Sequence, residues 1–195
     1  PAGWTRINNS SGDPFSNKSW FKPNVDGDGL AFLADDHVPN VDSTLNTYFA
    51  ANLDSTTVDY NGTISNWLIG PPLEFNNGDT ISFITRTITG SKYPDRLQLR
   101  FGEGNSASPA ERPTSGFNFA NADVDVGNFT TQLLLQRRNS VGDPVGLPTL
   151  GVNPNLQGGG YPEEWTKYTA TFAGLSGPTT GRFAFRYFVT DAGQL

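Results

Sequence analysis

The sequence predicts an all-β protein, a two-sheet antiparallel β-sandwich of jelly-roll type, and three observations carry that expectation. Side chains alternate with period two in one segment after another, turn residues punctuate those segments, and nothing sustains a helical period. The chain also has the means for many short strands: 22 Gly and 14 Pro for turns, and 14 Phe, 6 Tyr and 4 Trp for a core. Its 195 residues suit a single domain, 1–195.

Each element follows from its own pattern. "NTYFAANL" (46–53) and "ISNWLI" (64–69) are strand candidates rich in aromatic and β-branched residues. In "TISFITRT" Ile81, Phe83 and Thr85 share a face, and Ser82, Ile84 and Arg86 share the other. "RLQLRF" sets Leu97, Leu99 and Phe101 against Arg96, Gln98 and Arg100, as a half-buried antiparallel strand would. "FTTQLLLQ" is a shorter candidate, "KYTATFAGL" aligns Tyr168, Ala170 and Phe172, and "RFAFRYFV" aligns Phe183, Phe185, Tyr187 and Val189. Turns are signalled at Asn61-Gly62, Gly70-Pro71-Pro72, Asn77-Gly78-Asp79 and Ser176-Gly177-Pro178. Residues 102–123 and 139–160 show no strand pattern and read as long loops, which in a compact domain carry binding functions.

The net charge of −6 argues against nucleic acid, which demands a basic patch. It also makes anionic membrane surfaces poor partners. No apolar run approaches the roughly 20 residues of a membrane helix, so no direct membrane span is expected. With no Cys there is no disulfide frame, thiolate metal site or cysteine nucleophile. A start at Pro1 reads as a processed or trimmed chain, and the composition, low in Lys and rich in Asn, Ser, Thr and Gly, reads as a secreted or surface module.

One stretch has the layout of a calcium loop. In "NVDGDGLAFLAD" oxygen-bearing side chains stand at Asn24, Asp26 and Asp28, Gly29 follows, and Asp35 closes the run where a helical calcium hand has Glu. Calcium takes six to eight oxygens at about 2.3–2.6 Å, and the Leu30 carbonyl would fill the backbone position. The bland reading is a polar turn before a strand. The expected cofactor is thus calcium, in a structural role.

Catalytic constellations are thin. The one histidine, His37, has no GxSxG or HExxH motif with it and reads as a loop residue beside Asp35 and Asp36. Glu163-Glu164 before Trp165 is the one carboxylate pair near an aromatic, as glycosidase chemistry would need. Trp20, Tyr161 and Trp165 are the candidate sugar-stacking residues, with core packing as their plainer role. Arg86, Arg96, Arg100 and Arg186 lie opposite the apolar rows. A ladder of cross-strand pairs on a solvated face is their expected role, ahead of a groove gripping a carboxylate-bearing ligand.

Several segments, in order, resemble one family. "NTYFAAN", "ISNWLIGPPLEFNNGDTISFITRT", "YPDRLQLRFG", "VGNFTTQLL" and "GYPEEWTKYTATFAGLSGPTTGRFAFRYFV" are similar to the bacterial choice-of-anchor J domain, a relative of the cleaved-adhesin domains of surface proteases. The resemblance runs from about residue 4 to 191. It implies a secreted or cell-surface jelly roll with a non-enzymatic binding or adhesive role, and a structural calcium as in the related adhesin domains. It implies a surface glycan or protein as ligand. Family members continue past "FRYF" into a closing strand with an "IGID"-like core, and this sequence ends at "TDAGQL". A sandwich lacking that strand has an open sheet edge, through which self-assembly by strand addition is the alternative to simple truncation. A carbohydrate-active enzyme or carbohydrate-binding module on the same scaffold is the other function to weigh.

Overall fold

The structure, a computed structural model, describes residues 3–10, 19–22, 48–51, 62–87, 96–105, 126–138, 144–147, 162–163 and 165–189. Among these residues the chain is all-β and has no helix. The strands are β1 (Thr5–Asn8), β2 (Ile64–Ile69), β3 (Leu73–Phe75), β4 (Thr80–Thr85), β5 (Leu97–Glu103) and β6 (Thr131–Gln132). They continue with β7 (Leu135–Arg138), β8 (Pro144–Leu147), β9 (Thr166–Thr171) and β10 (Thr179–Val189). The larger sheet has the order β1-β2-β10-β5-β6, with β3 paired to the start of β10, and the smaller has the order β4-β9-β7-β8. Both sheets are antiparallel throughout.

The alternation read from the sequence sorts the facing rows. Leu97, Leu99 and Phe101 of β5 share one core with Tyr168 and Ala170 of β9, and with Phe172 just beyond it. Tyr187 and Val189 of β10 complete that core, and Phe183 and Phe185 pack on it half-buried. The rings set the alignment of the sheets. Phe172 meets Phe101 edge-on at 5.1 Å, and Phe83 of β4 meets Phe185 of β10 at 4.9 Å. Thus β9 lies across from β5, and β4 lies across from β10. The larger sheet therefore extends beyond β4 by β2 and β1.

Packing leaves no slack on either face of the larger sheet. A Cβ on Gly181 would strike the Phe101 ring and lie 2.6 Å from the Gly102 carbonyl oxygen. A Cβ on Gly102, pointing to the opposite face, would lie 2.7 Å from the Asn128 carbonyl oxygen. The Asn77-Gly78 turn before β4 is pinned from outside: Asn77 Nδ2 donates to Leu175 O at 2.8 Å and Asn77 Oδ1 accepts from Leu175 N at 2.9 Å. Gly78 has φ 96°, a conformation that costs other residues strain.

Three strands depart from the expectation. β1 and β3 are short, and β8 lies inside 139–160, which carried no strand pattern. β8 opens on Pro144, and a proline suits the start of a strand or a sheet edge; among the described residues β8 is such an edge. "FTTQLLLQ" is also two strands in different sheets: β6 pairs with β5, and β7 with β9. The chain crosses between sheets at Leu133, which is buried, and Leu134, which is 56% exposed. Of 46–53, the described part bridges only from Ala50 to Phe21.

Candidate functional site

The arginine row is the first candidate, and the structure corrects its expected setting. Arg100 and Arg186 do share the face opposite the apolar row, but both are 0% exposed rather than solvated. Alternation distinguishes two faces of a strand; it does not show what folds over the polar one. Here Val126 and Phe129 cover that face, clustering with Trp67 and Ile69 of β2 and Ala184 of β10.

The guanidiniums are held by a dense set of acceptors. Gln98 Oε1 accepts from Arg100 Nε at 3.1 Å and from Arg186 Nη1 at 3.3 Å, so one amide oxygen joins both. Arg100 Nη1 donates to Phe129 O at 3.0 Å and its Nη2 to Gln132 Oε1 at 3.3 Å. Ser65 Oγ accepts from Arg186 Nε at 3.0 Å and from Trp67 Nε1 at 3.1 Å. Arg186 also lies against aromatic rings, 4.0 Å from the Phe188 centroid and 5.1 Å from that of Trp67. Such contacts suit a weakly hydrated guanidinium better than an ammonium. Arg96 is half-buried, 4.9 Å from the Phe188 centroid, and burial holds its guanidinium below the ordinary arginine value. This network joins β2, β5, β6 and β10 internally.

The second candidate is the end of the smaller sheet where β4 stops and β9 begins. Thr85 pairs with Thr166, and Thr87 N donates to Pro162 O at 2.7 Å, which fixes the approach to β9. Half-buried Glu163 and Trp165 stand on that approach, and half-buried Arg86 stands between Thr85 and Thr87. Tyr48, distant in sequence, sets its ring edge-on to Trp165 at 5.8 Å and 70°. Two aromatic rings, a carboxylate and a guanidinium thus gather at one sheet end. A sugar-binding surface uses such a set, with apolar ring faces for stacking and charged groups for hydroxyls.

The other sequence-derived candidates divide by position. Trp20 is 9% exposed, belongs to the core, and donates its indole N–H to Asn66 O at 3.0 Å. Stacking on a sugar requires an open ring face, and Trp20 offers little. Tyr161, Glu164, His37 and the proposed calcium ligands Asn24, Asp26, Asp28, Leu30 and Asp35 lie outside the described residues. Among the described residues no group of three or more His, Cys, Asp or Glu side chains is placed to hold a metal, and no helix is long and apolar enough to cross a membrane. Sequence reasoning took Tyr48 only as part of the strand candidate 46–53, not as a site residue, and did not place Arg86 near Trp165.

Comparison with known proteins adds no relative: no family model, no curated protein and no solved structure matches this chain.

Proposed function

We propose that this chain is a non-enzymatic binding or adhesion module of a secreted or cell-surface bacterial protein, a sandwich of jelly-roll type that recognises a surface glycan. The observation that carries the reading is the Trp165–Tyr48 pair at the β4–β9 end, with Glu163 and Arg86 on the same rim. Most other described aromatics belong to the core clusters or pack on them, whereas Tyr48 and Trp165 are in neither cluster. Binding residues favour loops held by a rigid scaffold. The ordered sequence resemblance to a surface-domain family supports the same reading. Glu163 and Arg86 would supply hydrogen bonds to hydroxyls, and the rings contact area at low entropic cost.

The test is affinity electrophoresis against a panel of soluble β-glucans, xylans and mannans, with thermal unfolding as the folding control. Trp165→Ala should abolish retardation by any polysaccharide that retards the parent, with its unfolding transition still cooperative. Retardation unchanged in Trp165→Ala would remove the site. Turnover of a polysaccharide, lost in Glu163→Gln, would replace binding by catalysis.

A further inference from the structure

The turn between β3 and β4 reads Asn76-Asn77-Gly78-Asp79, and all four residues are exposed. It closes through Asp79 N, which donates to Asn76 O at 3.1 Å, and Asp79 Oδ2 accepts from Asn76 N at 2.7 Å. Gly78 holds the third place with φ 96°, a conformation that suits glycine there.

An asparagine followed by glycine is also a reactive pair. Once deprotonated, the glycine nitrogen attacks the asparagine Cγ, since no Cβ on glycine obstructs the approach. A C–N bond forms, the side-chain nitrogen leaves as ammonia, and a five-membered succinimide results. Water then opens the ring at either carbonyl and leaves an aspartyl or an isoaspartyl residue. Water is the only co-reactant.

In the folded chain both reacting groups are engaged. The Gly78 N–H, whose nitrogen would attack, donates to Phe172 O at 2.8 Å. The Asn77 carboxamide, whose carbon would be attacked, is held at both ends by one residue. Its Nδ2 donates to Leu175 O at 2.8 Å, and its Oδ1 accepts from Leu175 N at 2.9 Å. Phe172 is buried and stacks on Phe75 at 4.4 Å, so the acceptor of the Gly78 bond is anchored in the core. The Leu175 N–H would stabilise charge growing on Oδ1 during attack, but the held Gly78 nitrogen denies it an attacker. Cyclisation therefore waits for the turn to leave Phe172 and Leu175.

Conversion is not neutral for the turn. An aspartyl side chain has no donor, and it would set an anionic oxygen against the Leu175 carbonyl where Nδ2 now bonds. An isoaspartyl residue lengthens the main chain by a methylene group between strands whose registers with β10 and β9 are fixed. Either product loses the two-bond tie.

We propose that Asn77 is a modification site gated by the fold: it deamidates spontaneously when the turn detaches from Phe172 and Leu175, and the product does not re-form the tie. The site lies at the opposite end of β4 from the aromatic rim, and the proposal does not rest on what that rim binds.

The experiment follows conversion of Asn77 in mildly alkaline buffer by mass spectrometry with fragmentation, using isoaspartyl methyltransferase labelling for the isoaspartyl product. The samples are the native protein, the protein in urea, and a synthetic peptide of residues 73–82, LEFNNGDTIS. Asn77 in the native protein should convert at least about tenfold more slowly than in the other two. Leu175→Pro, which removes the N–H bonded to Oδ1, should speed conversion about fivefold in the folded protein, with a cooperative thermal transition as the folding control. Asn77→Asp, which carries the aspartyl product, should let the Gly78 amide exchange at least about tenfold faster than in the parent. Native conversion as fast as that of the peptide would overturn the proposal, because the fold would then be no gate. Faster native conversion would overturn it in favour of a turn that promotes attack through Leu175 N–H. An unaltered rate in folded Leu175→Pro, or unaltered Gly78 exchange in Asn77→Asp, would overturn the tie as the gate.

Discussion

The two faces of the larger sheet make an instructive pair. One face carries Leu97, Leu99, Phe101 and Tyr187, and the other carries Gln98, Arg100, Arg186, Trp67 and Phe188, yet every one of these residues is buried. The first face is held by interlocking rings that need no orientation beyond good packing. The second is held by guanidiniums whose bonds converge on Gln98, Ser65, Phe129 O and Gln132. An apolar face tolerates repacking, whereas a buried polar network must be satisfied group by group. Polarity thus marks the more demanding side of the sheet and not the wetter one.

The comparison can be broken first on the apolar side. Phe101→Ala removes a ring that contacts Phe75 at 5.3 Å and Phe172 at 5.1 Å, and should cost about 4 kcal/mol in chemical denaturation. Arg186→Ala follows at about 3 kcal/mol, because it removes the bonds to Ser65 and Gln98 and leaves a cavity against Trp67 and Phe188 at a fully buried position. Arg186→Met, which refills the volume, should recover part of that loss; full equality with Arg186→Ala would mean that bonding alone matters. Gly102→Ala and Gly181→Ala, one on each face, should each cost about 2 kcal/mol through overpacking. A negligible cost for Gly102→Ala alone would show that the polar face is looser than its contacts indicate. Smallest in stability is Trp165→Ala, about 1 kcal/mol, since the half-buried ring lies off both faces and its loss should appear in ligand binding.

A calcium site would add a further contrast, between a fold rigid by packing and a segment rigid by ion binding. If "NVDGDGLAFLAD" holds calcium, millimolar calcium should raise the melting temperature over that in excess EDTA, and Asp26→Ala with Asp28→Ala should remove the rise. Saturation at one hundred times Kd corresponds to about 2.7 kcal/mol. A rise that survives both substitutions would move the ion elsewhere.

What the sequence disclosed follows from what alternation can encode. β4, β5, β9 and β10 were legible because their inward rows, such as Phe183, Phe185 and Tyr187, repeat at period two over at least five residues, and β2 from its aromatic and β-branched residues. β8 was not, because Pro144 and Gly146 occupy half of a four-residue strand and both are poor strand formers. The crossing at Leu133 and Leu134 was hidden, since three consecutive leucines look the same whether they serve one sheet or two. Arg100 and Arg186 were placed on the correct face but in the wrong medium, because their cover comes from Val126 and Phe129, remote in sequence. Trp165 was legible as a candidate from its neighbours Glu163 and Glu164; its partner Tyr48 was not, because an edge-on ring pair across so long a separation leaves no local pattern.

The arginine row supports the fold from inside and is not a solvated groove. Phenylglyoxal labelling of the native protein, read residue by residue by mass spectrometry, tests it most directly. Exposed Arg6 should be modified readily, while Arg100 and Arg186 remain intact until denaturant unfolds the chain. Modification of Arg100 and Arg186 at the rate of Arg6 in the folded protein would contradict the account and restore the row as an open groove for a carboxylate-bearing ligand.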